Sequence, residues 1–460
     1  MLTSICSRSL LTAFSLLTIA ASGAAAQSNP ALVQKLDSIA GSGIVENRAA
    51  GLVAAVVKGN DTLLLESYGK ADLEWNVPMP LDAMFEIGSI TKQFTAAAVL
   101  KLRDEGKLSL DDEITKWLPD FNTHGNKVTL RRMLDHTSGI TGLTEIPEFA
   151  TLAINDRLPR DSGYALIKRQ KFLFPTGEAQ IYNNSAFWLL GLVVEKASGM
   201  TYEEYLEKKI FEPLGMKRSM YCHSSENVER RAHGYGLRNN VMVRAATNVH
   251  TWPFAAGSIC STVGDVVTWV RALHGGKVLS PKSYAEMVSP SKLNDGTPLR
   301  YGMGISVGKD SRGLSFIGHG GSINGFNSEA TWYPEEKMAV VVLINTSGNL
   351  DASAVGGELA AEILPWKRPT RAKFAGDPAP LVGKYKGPSR GRDMVVEVTQ
   401  TPEGLAFSAN GSPPRVLPWV EGLTWQGGSA YLTFRRNNST GPATEIRFDA
   451  GNGYYILKRQ

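Results

Sequence analysis

Cysteine is scarce, with three in 460 residues, and that excludes a scaffold held together by a disulfide framework. Cys6 stands ahead of an apolar stretch, Leu10 to Ala21, which follows Arg8 and runs into Ala24-Ala25-Ala26. Residues 1–26 therefore read as a secretory signal cleaved after Ala26, and Cys6 leaves with it. Cys222 and Cys260 remain; sequence does not set their separation, so one bond between them stays open. Cys222-His223 has no second pair at metal spacing, which argues against a metal centre, and no other cofactor is expected. No second long apolar run follows the first, so no stable membrane span is expected, and the product should be secreted or periplasmic. Nor is there a strong excess of either charge. Forty-nine Lys and Arg against 44 Asp and Glu leave a net +5, scattered along the chain, which argues against a nucleic-acid surface. Repeats and low-complexity tracts are absent as well. What the chain has is apolar content, 43%, over a length that supports a large core and more than one domain.

Local patterns place the elements. Gly51 to Val57 and Asp61 to Ser67 flank Gly59-Asn60 as a β-hairpin. Between about residues 107 and 290 the pattern is mostly helical: Tyr182 to Ser198 is apolar on most faces, Thr201-Tyr202-Glu203-Glu204 forms a capping box, and Thr262 opens a helix ending at Gly275-Gly276. Strand signals return in Phe326 to Tyr333 and Met338 to Asn345, then a helix from about Ala352 to Leu364. The simplest assembly is α+β: an antiparallel sheet made from both ends of this region, covered by its outer helices, with a helical subdomain beside it. Residues 365–380, rich in proline, read as a linker. Beyond it, about eight short strands between Val382 and Leu457 suggest a small all-β barrel over 381–460.

Chemistry starts at Ser89-Ile90-Thr91-Lys92, directly before a strong helix former that stops at Gly106. Positions i and i+3 share a helix face, so the Ser89 hydroxyl and the Lys92 amine can meet. An ordinary lysine is protonated and cannot act as a base; burial and neighbouring donors must first lower its pKa. Ser67-Tyr68-Gly69-Lys70 and Ser289-Pro290-Ser291-Lys292 share the spacing, but one ends a strand and the other meets proline, and neither begins a helix. Alone, Ser89 and Lys92 would read far more often as a helix cap and a solvated lysine.

Two further motifs support the reactive reading. Tyr182-Asn183-Asn184 follows Pro175-Thr176-Gly177 and precedes the buried-type helix; such a tyrosine can relay a proton to a leaving group, and Asn184 can hold both lysine and substrate. The competing reading is a packed tyrosine beside a helix cap. His319-Gly320-Gly321 sets a polar side chain beside backbone that can approach a ligand closely, with a structural histidine as its alternative. His274-Gly275-Gly276 has the same spacing but reads as a helix stop.

In this order and spacing, Ser-x-x-Lys, Tyr-x-Asn and His-x-Gly resemble the serine hydrolases of the class C β-lactamase and penicillin-binding-protein superfamily, over residues 32 to 362. Phe85 to Ser89, Met133 to Gly139 and Ala256 to Thr262 add family-like stretches. The resemblance implies a β-lactamase/transpeptidase-like fold over 27–364. It makes Ser89 the acylated nucleophile, Lys92 its base and Tyr182 the proton shuttle. Asn184, His319, Gly321 and Ser322 would bind substrate, with the backbone amides of Ser89 and Ser322 as oxyanion donors; His136 would hold its loop. No Lys-Thr-Gly or Lys-Ser-Gly occurs, and His319 takes the place of the lysine that grips a substrate carboxylate in related enzymes. That variant resembles D-aminopeptidases and carboxylesterases, and the trailing region resembles lipocalin-like barrels, which would close over the cleft or mediate assembly into a homo-oligomer. The expected activity is hydrolysis of an ester or amide in a small molecule or short peptide, through an acyl-serine. β-Lactamase or D-Ala-D-Ala carboxypeptidase action is the alternative within that chemistry, and a non-catalytic sensor of cell-wall fragments the alternative outside it.

Overall fold

Gly51–Lys58 is buried along almost its whole length because it lies in the middle of a sheet covered on both faces. In this computed structural model, which describes residues 30–149, 159–310, 312–366 and 372–460, the seven strands are all antiparallel. Their order is Ser306–Lys309, Ser315–Ile323, Phe326–Tyr333, Met338–Ile344, Gly51–Lys58, Asp61–Asp72 and Val77–Pro78. Leu52 faces Ile344 and Lys58 faces Met338, so the two ends of the region meet at the sheet's centre. Alternate side chains feed different cores. Leu52, Ala54 and Val56 pack with Leu36 and Leu359 of the outer helices Pro30–Val45 and Ala352–Ile363, while Val53 and Ala55 join Phe94 and Trp269 on the other face.

The expected α+β assembly is what the chain adopts, with local corrections. Pro30–Val45 gave no helix signal, since glycines interrupt it; Gly43 is where the helix meets Leu350, and a Cβ there would lie 2.4 Å from that side chain. The mostly helical middle also holds a hairpin, Tyr235–Arg238 with Val241–Arg244, and two short strands, Ile259–Ser261 and Met220–Tyr221, that form a small sheet with Phe85–Glu86 from before it. Strands of two to four residues carry too little periodicity to be read from sequence. Cys222 and Cys260 form a buried disulfide beside that small sheet. The proposed signal, 1–26, and residues 367–371 of the linker lie outside the described residues.

Beyond residue 381 the strands fall where the sequence placed them, except that the one expected over Arg415 to Trp419 is split into two short strands, and they do not close into a barrel. Nine form one curled sheet ending in Arg415–Val416 on one edge and Trp419–Glu421 on the other, and those edges do not pair. The result is a half-barrel, because closure depends on hydrogen bonds between the two edges, which strand patterns do not encode. A tenth strand, Gln180–Ile181, comes from the first region: Gly453 pairs with Ile181 and Tyr454 with Gln180. Phe174, Ala179 and Ile181 accordingly belong to the half-barrel's core.

The strand Ser315–Ile323 gave no strand signal, since three of its nine residues are glycine. Gly321 explains part of that composition. A Cβ there would sit 2.1 Å from the Ile87 carbonyl oxygen and 2.3 Å from Ser328 Oγ, whereas at Gly320 the nearest atom is the Glu329 carboxylate at 3.0 Å. Gly321→Ala should therefore cost about 1–3 kcal/mol by overpacking, and Gly320→Ala clearly less. Thermal melts of the two variants check this, and equal losses would contradict it.

Candidate active site

Ser89 sits on a single 3-10 turn, Gly88–Ile90, that leads into the helix Thr91–Asp104. Gly88 has φ +51°, a left-handed conformation that glycine adopts without strain, and a Cβ there would lie 3.0 Å from the Ser322 nitrogen. The turn thus brings Ser89 beside the backbone of Gly321 and Ser322. Lys92 occupies the first helical turn and is wholly buried. Its Nζ lies 3.0 Å from Ser89 Oγ, 2.8 Å from Asn184 Oδ1 and 2.8 Å from the Ala256 carbonyl oxygen. Of the four Ser-x-x-Lys matches, Ser306-Val307-Gly308-Lys309 included, only Lys92 is buried; Lys70 is half-buried on an outer strand, and Lys292 and Lys309 are exposed.

Among the described residues Lys92 has no ion-pair partner. Burial drives its pKa well below the ordinary 10.5, the Arg390 guanidinium pushes it further down, and Glu145 opposes. The neighbours suit a free amine. Two N–H bonds serve Asn184 Oδ1 and the Ala256 carbonyl, neither of which can donate, and the lone pair is left for the Ser89 hydroxyl.

Tyr182 follows the strand Gln180–Ile181 and precedes Asn183, whose side chain caps the helix Asn184–Ser198 by accepting from the Ala186 amide at 2.7 Å. Its ring lies 4.5 Å from the His136 ring and 5.9 Å from the His319 ring, with Lys92 Nζ 4.7 Å from its centre. The hydroxyl faces Ser89 but makes no hydrogen bond of regular geometry with any described residue. Burial raises its pKa above that of free tyrosine, while Ser89 and Arg390 pull the other way, so it rests as the phenol.

The histidines form an ordered chain. The Asn183 amide donates to His136 Nδ1 at 3.1 Å, so the His136 proton is on Nε2 and donates to the Tyr301 oxygen at 3.1 Å. Tyr301 in turn donates to His319 Nε2 at 3.0 Å, leaving His319 Nδ1–H for the Gly320 carbonyl. Burial holds both rings neutral, with His319 pushed down to about 3 and His136 well below its usual range. His319, read from sequence as a substrate contact, has both ring nitrogens engaged and carries no charge near neutral pH. Its ring backs Tyr182. Tyr301 and the Ala256 carbonyl, both central to this arrangement, carried no motif of their own, although Ala256 opens one of the family-like stretches.

A cavity of about 350 Å³ opens at Ser89, Asn184 and Ser322. Leu143, Phe149, Val249 and Trp252 make its far wall apolar. Asn248, on its rim, donates to the buried Glu86 carboxylate at 2.6 Å and to the Asn324 carbonyl at 2.9 Å, and Arg231 pairs with the same carboxylate at 2.6 Å.

The family described as Beta-lactamase matches residues 31–364. The D-aminopeptidase of Cereibacter sphaeroides is 27% identical over 377 residues, 82% of this chain and 70% of that protein. The crystal structure of a D-stereospecific amidohydrolase from Streptomyces sp. is 29% identical and covers 72% of this chain and 98% of its own, with a TM-score of 0.62. The octameric penicillin-binding protein homologue from Pyrococcus abyssi, 26% identical, covers 93% of this chain and 100% of its own, with a TM-score of 0.64, so the likeness extends into the half-barrel.

The free amine has a consequence for stability. Between the lowered pKa of Lys92 and 10.5 the unfolded chain binds a proton that the folded chain does not, so Lys92 makes stability rise with pH across that window. The wild type should therefore gain melting temperature relative to Lys92→Met between about pH 7 and about pH 10. A pH-independent difference, measured by scanning calorimetry, would mean that the folded protein keeps Lys92 charged.

Proposed function

This chain belongs to the β-lactamase family and is a serine hydrolase, and from that premise we propose that it is exported and hydrolyses amides and esters of D-amino acids or short D-peptides through acyl-Ser89. The observation that carries the reading is the buried Lys92 amine, 3.0 Å from Ser89 Oγ with no carboxylate to keep it protonated. As Oγ bonds to the substrate carbonyl carbon, its proton passes to the Lys92 lone pair. The negative charge that develops on the carbonyl oxygen is met by the backbone amides of Ser89 and Ser322, an arrangement that supplies roughly 3 to 4 kcal/mol per donor. The C–N bond then breaks, and the leaving amine takes a proton from the Tyr182 hydroxyl, which is replenished from the Lys92 ammonium. Water enters as the departing amine did, loses its proton through the same pair, and attacks the ester carbon. Oγ leaves with a proton, giving the free acid and the original enzyme.

Asn184 holds Lys92 and reaches toward substrate, and the His136–Tyr301–His319 chain fixes the Tyr182 ring. The names of the relatives support D-amino-acid amides as substrates, and the octameric state of the archaeal relative supports assembly of copies of this chain.

Two substrates separate the roles. Ser89→Ala should abolish turnover of both p-nitrophenyl acetate and D-alaninamide, and equal turnover of either by this variant and the wild type removes the nucleophile. Tyr182→Phe should lower kcat/KM, which reads acylation, by about 10²–10⁴-fold for the amide and far less for the ester, since p-nitrophenolate leaves without a proton. Equal losses on both, in steady-state kinetics, would take the shuttle role from Tyr182.

A further inference from the structure

Besides the strand pairing at Gln180–Ile181, the half-barrel reaches the catalytic residues through the side chain of Arg390. Arg390 lies in the loop between the strands Gly383–Gly387 and Met394–Thr401. Its Nε and Nη2 donate to the same oxygen of Glu145, at 2.9 and 2.7 Å, and Nη2 lies 3.4 Å from Thr144 Oγ1. The guanidinium carbon is 5.3 Å from the centre of the Tyr182 ring. Thr144 also donates to Glu145 at 2.9 Å, and the Glu145 side chain is only 9% exposed against 41% for Arg390. One partner is fixed and the other faces solvent.

The pair is not needed to dock the half-barrel. Gln180–Ile181 already pairs with its last strand, and Arg300 meets Asp449 at 2.8 Å and Arg447 meets Asp295 at 3.1 Å. An additional ion pair whose guanidinium is open to solvent adds little to stability. What it does is hold a cation at a defined place. Glu145 takes the guanidinium side-on, through Nε and Nη2, so Nη1 has no hydrogen-bond partner among the described residues. At the outer edge of the plane Nη1 stands beside Nη2, whose contact with Thr144 is long at 3.4 Å, in the fork geometry that binds a carboxylate through two parallel hydrogen bonds.

Its location selects which part of a substrate it meets. In the proposed reaction Tyr182 protonates the leaving group, so a group lying over Tyr182 belongs to the departing amine. Neither Tyr182 nor Arg390 lines the apolar cavity beyond Ser89. The motif position that holds a lysine in related enzymes is here the neutral His319, with both ring nitrogens engaged.

Resting on the hydrolase reading above, we propose that Arg390 is a specificity-determining residue that binds a free carboxylate on the leaving residue, so that short peptides cleaved one residue before their C-terminus are preferred. Glu145 is a positioning residue that orients the guanidinium. The charge missing from the catalytic region is thereby supplied by the half-barrel.

D-Alanyl-D-alanine and its C-terminal amide differ only in that carboxylate, and the ratio of their kcat/KM values reads the anchor. The wild type should favour the acid by about tenfold or more. Arg390→Ala should bring the ratio close to one, mainly by raising KM for the acid, and Arg390→Lys should keep part of the preference. A ratio unchanged in Arg390→Ala, or no preference in the wild type, overturns the anchor and leaves the hydrolase reading intact. If neither dipeptide is turned over while p-nitrophenyl acetate still is, the D-peptide reading falls, and inhibition of the ester reaction decides the anchor. N-Acetyl-D-alanine should then inhibit more strongly than its amide, and lose that advantage in Arg390→Ala; equal inhibition by the two in the wild type overturns the proposal.

Discussion

The site depends on one amine that is buried without a carboxylate. Water would stabilise the ammonium form of Lys92, and so would an adjacent Asp or Glu; the fold denies it both and offers two carbonyl oxygens and a hydroxyl. Three separate segments must converge to do this: the turn and helix carrying Ser89 and Lys92, the helix beginning at Asn184, and the stretch ending at Ala256. Each is anchored in the same core, where Phe94, Phe187 and Phe254 are all buried. A carboxylate does stand nearby, but Arg390 is already paired with Glu145, and the two have opposite effects on Lys92.

Tyr182 is held by a second set of constraints. Its ring is flanked by two histidines that burial keeps neutral, and the hydrogen bonds from Asn183 through His136 and Tyr301 to His319 fix the tautomer of each. The strand immediately before it is hydrogen-bonded into the half-barrel. The C-terminal sheet therefore touches the site twice, through the backbone leading into Tyr182 and through Arg390 above the ring. A shift of that sheet would move Tyr182 and the cation together.

Local chemistry made much of this legible in the sequence. Ser89 and Lys92 could be paired because helical spacing brings them together, and the capping box at Thr201 and the hairpin around Gly59-Asn60 are equally local. The C-terminal strands showed themselves through alternation and turn residues. Long-range features had no such pattern. Glu145 and Arg390 are 245 positions apart, Tyr301 gains its role only from two histidines brought to it by folding, and the Ala256 contribution is a carbonyl that any residue would supply. The neutral state of His319 likewise follows from burial rather than from the residues beside it in the chain. The half-barrel was read as closed because strand number is visible in sequence and edge pairing is not.

Titration of the lysine side chains by NMR, with 13C at the ε carbon and Lys92→Ala to assign the resonance, addresses the central claim directly. One resonance, absent from the variant, should titrate far below 10.5 or remain in the neutral form throughout the accessible range. A Lys92 resonance that titrates near 10.5 with the other lysines would mean an ammonium beside Ser89, and the base in this account would not exist.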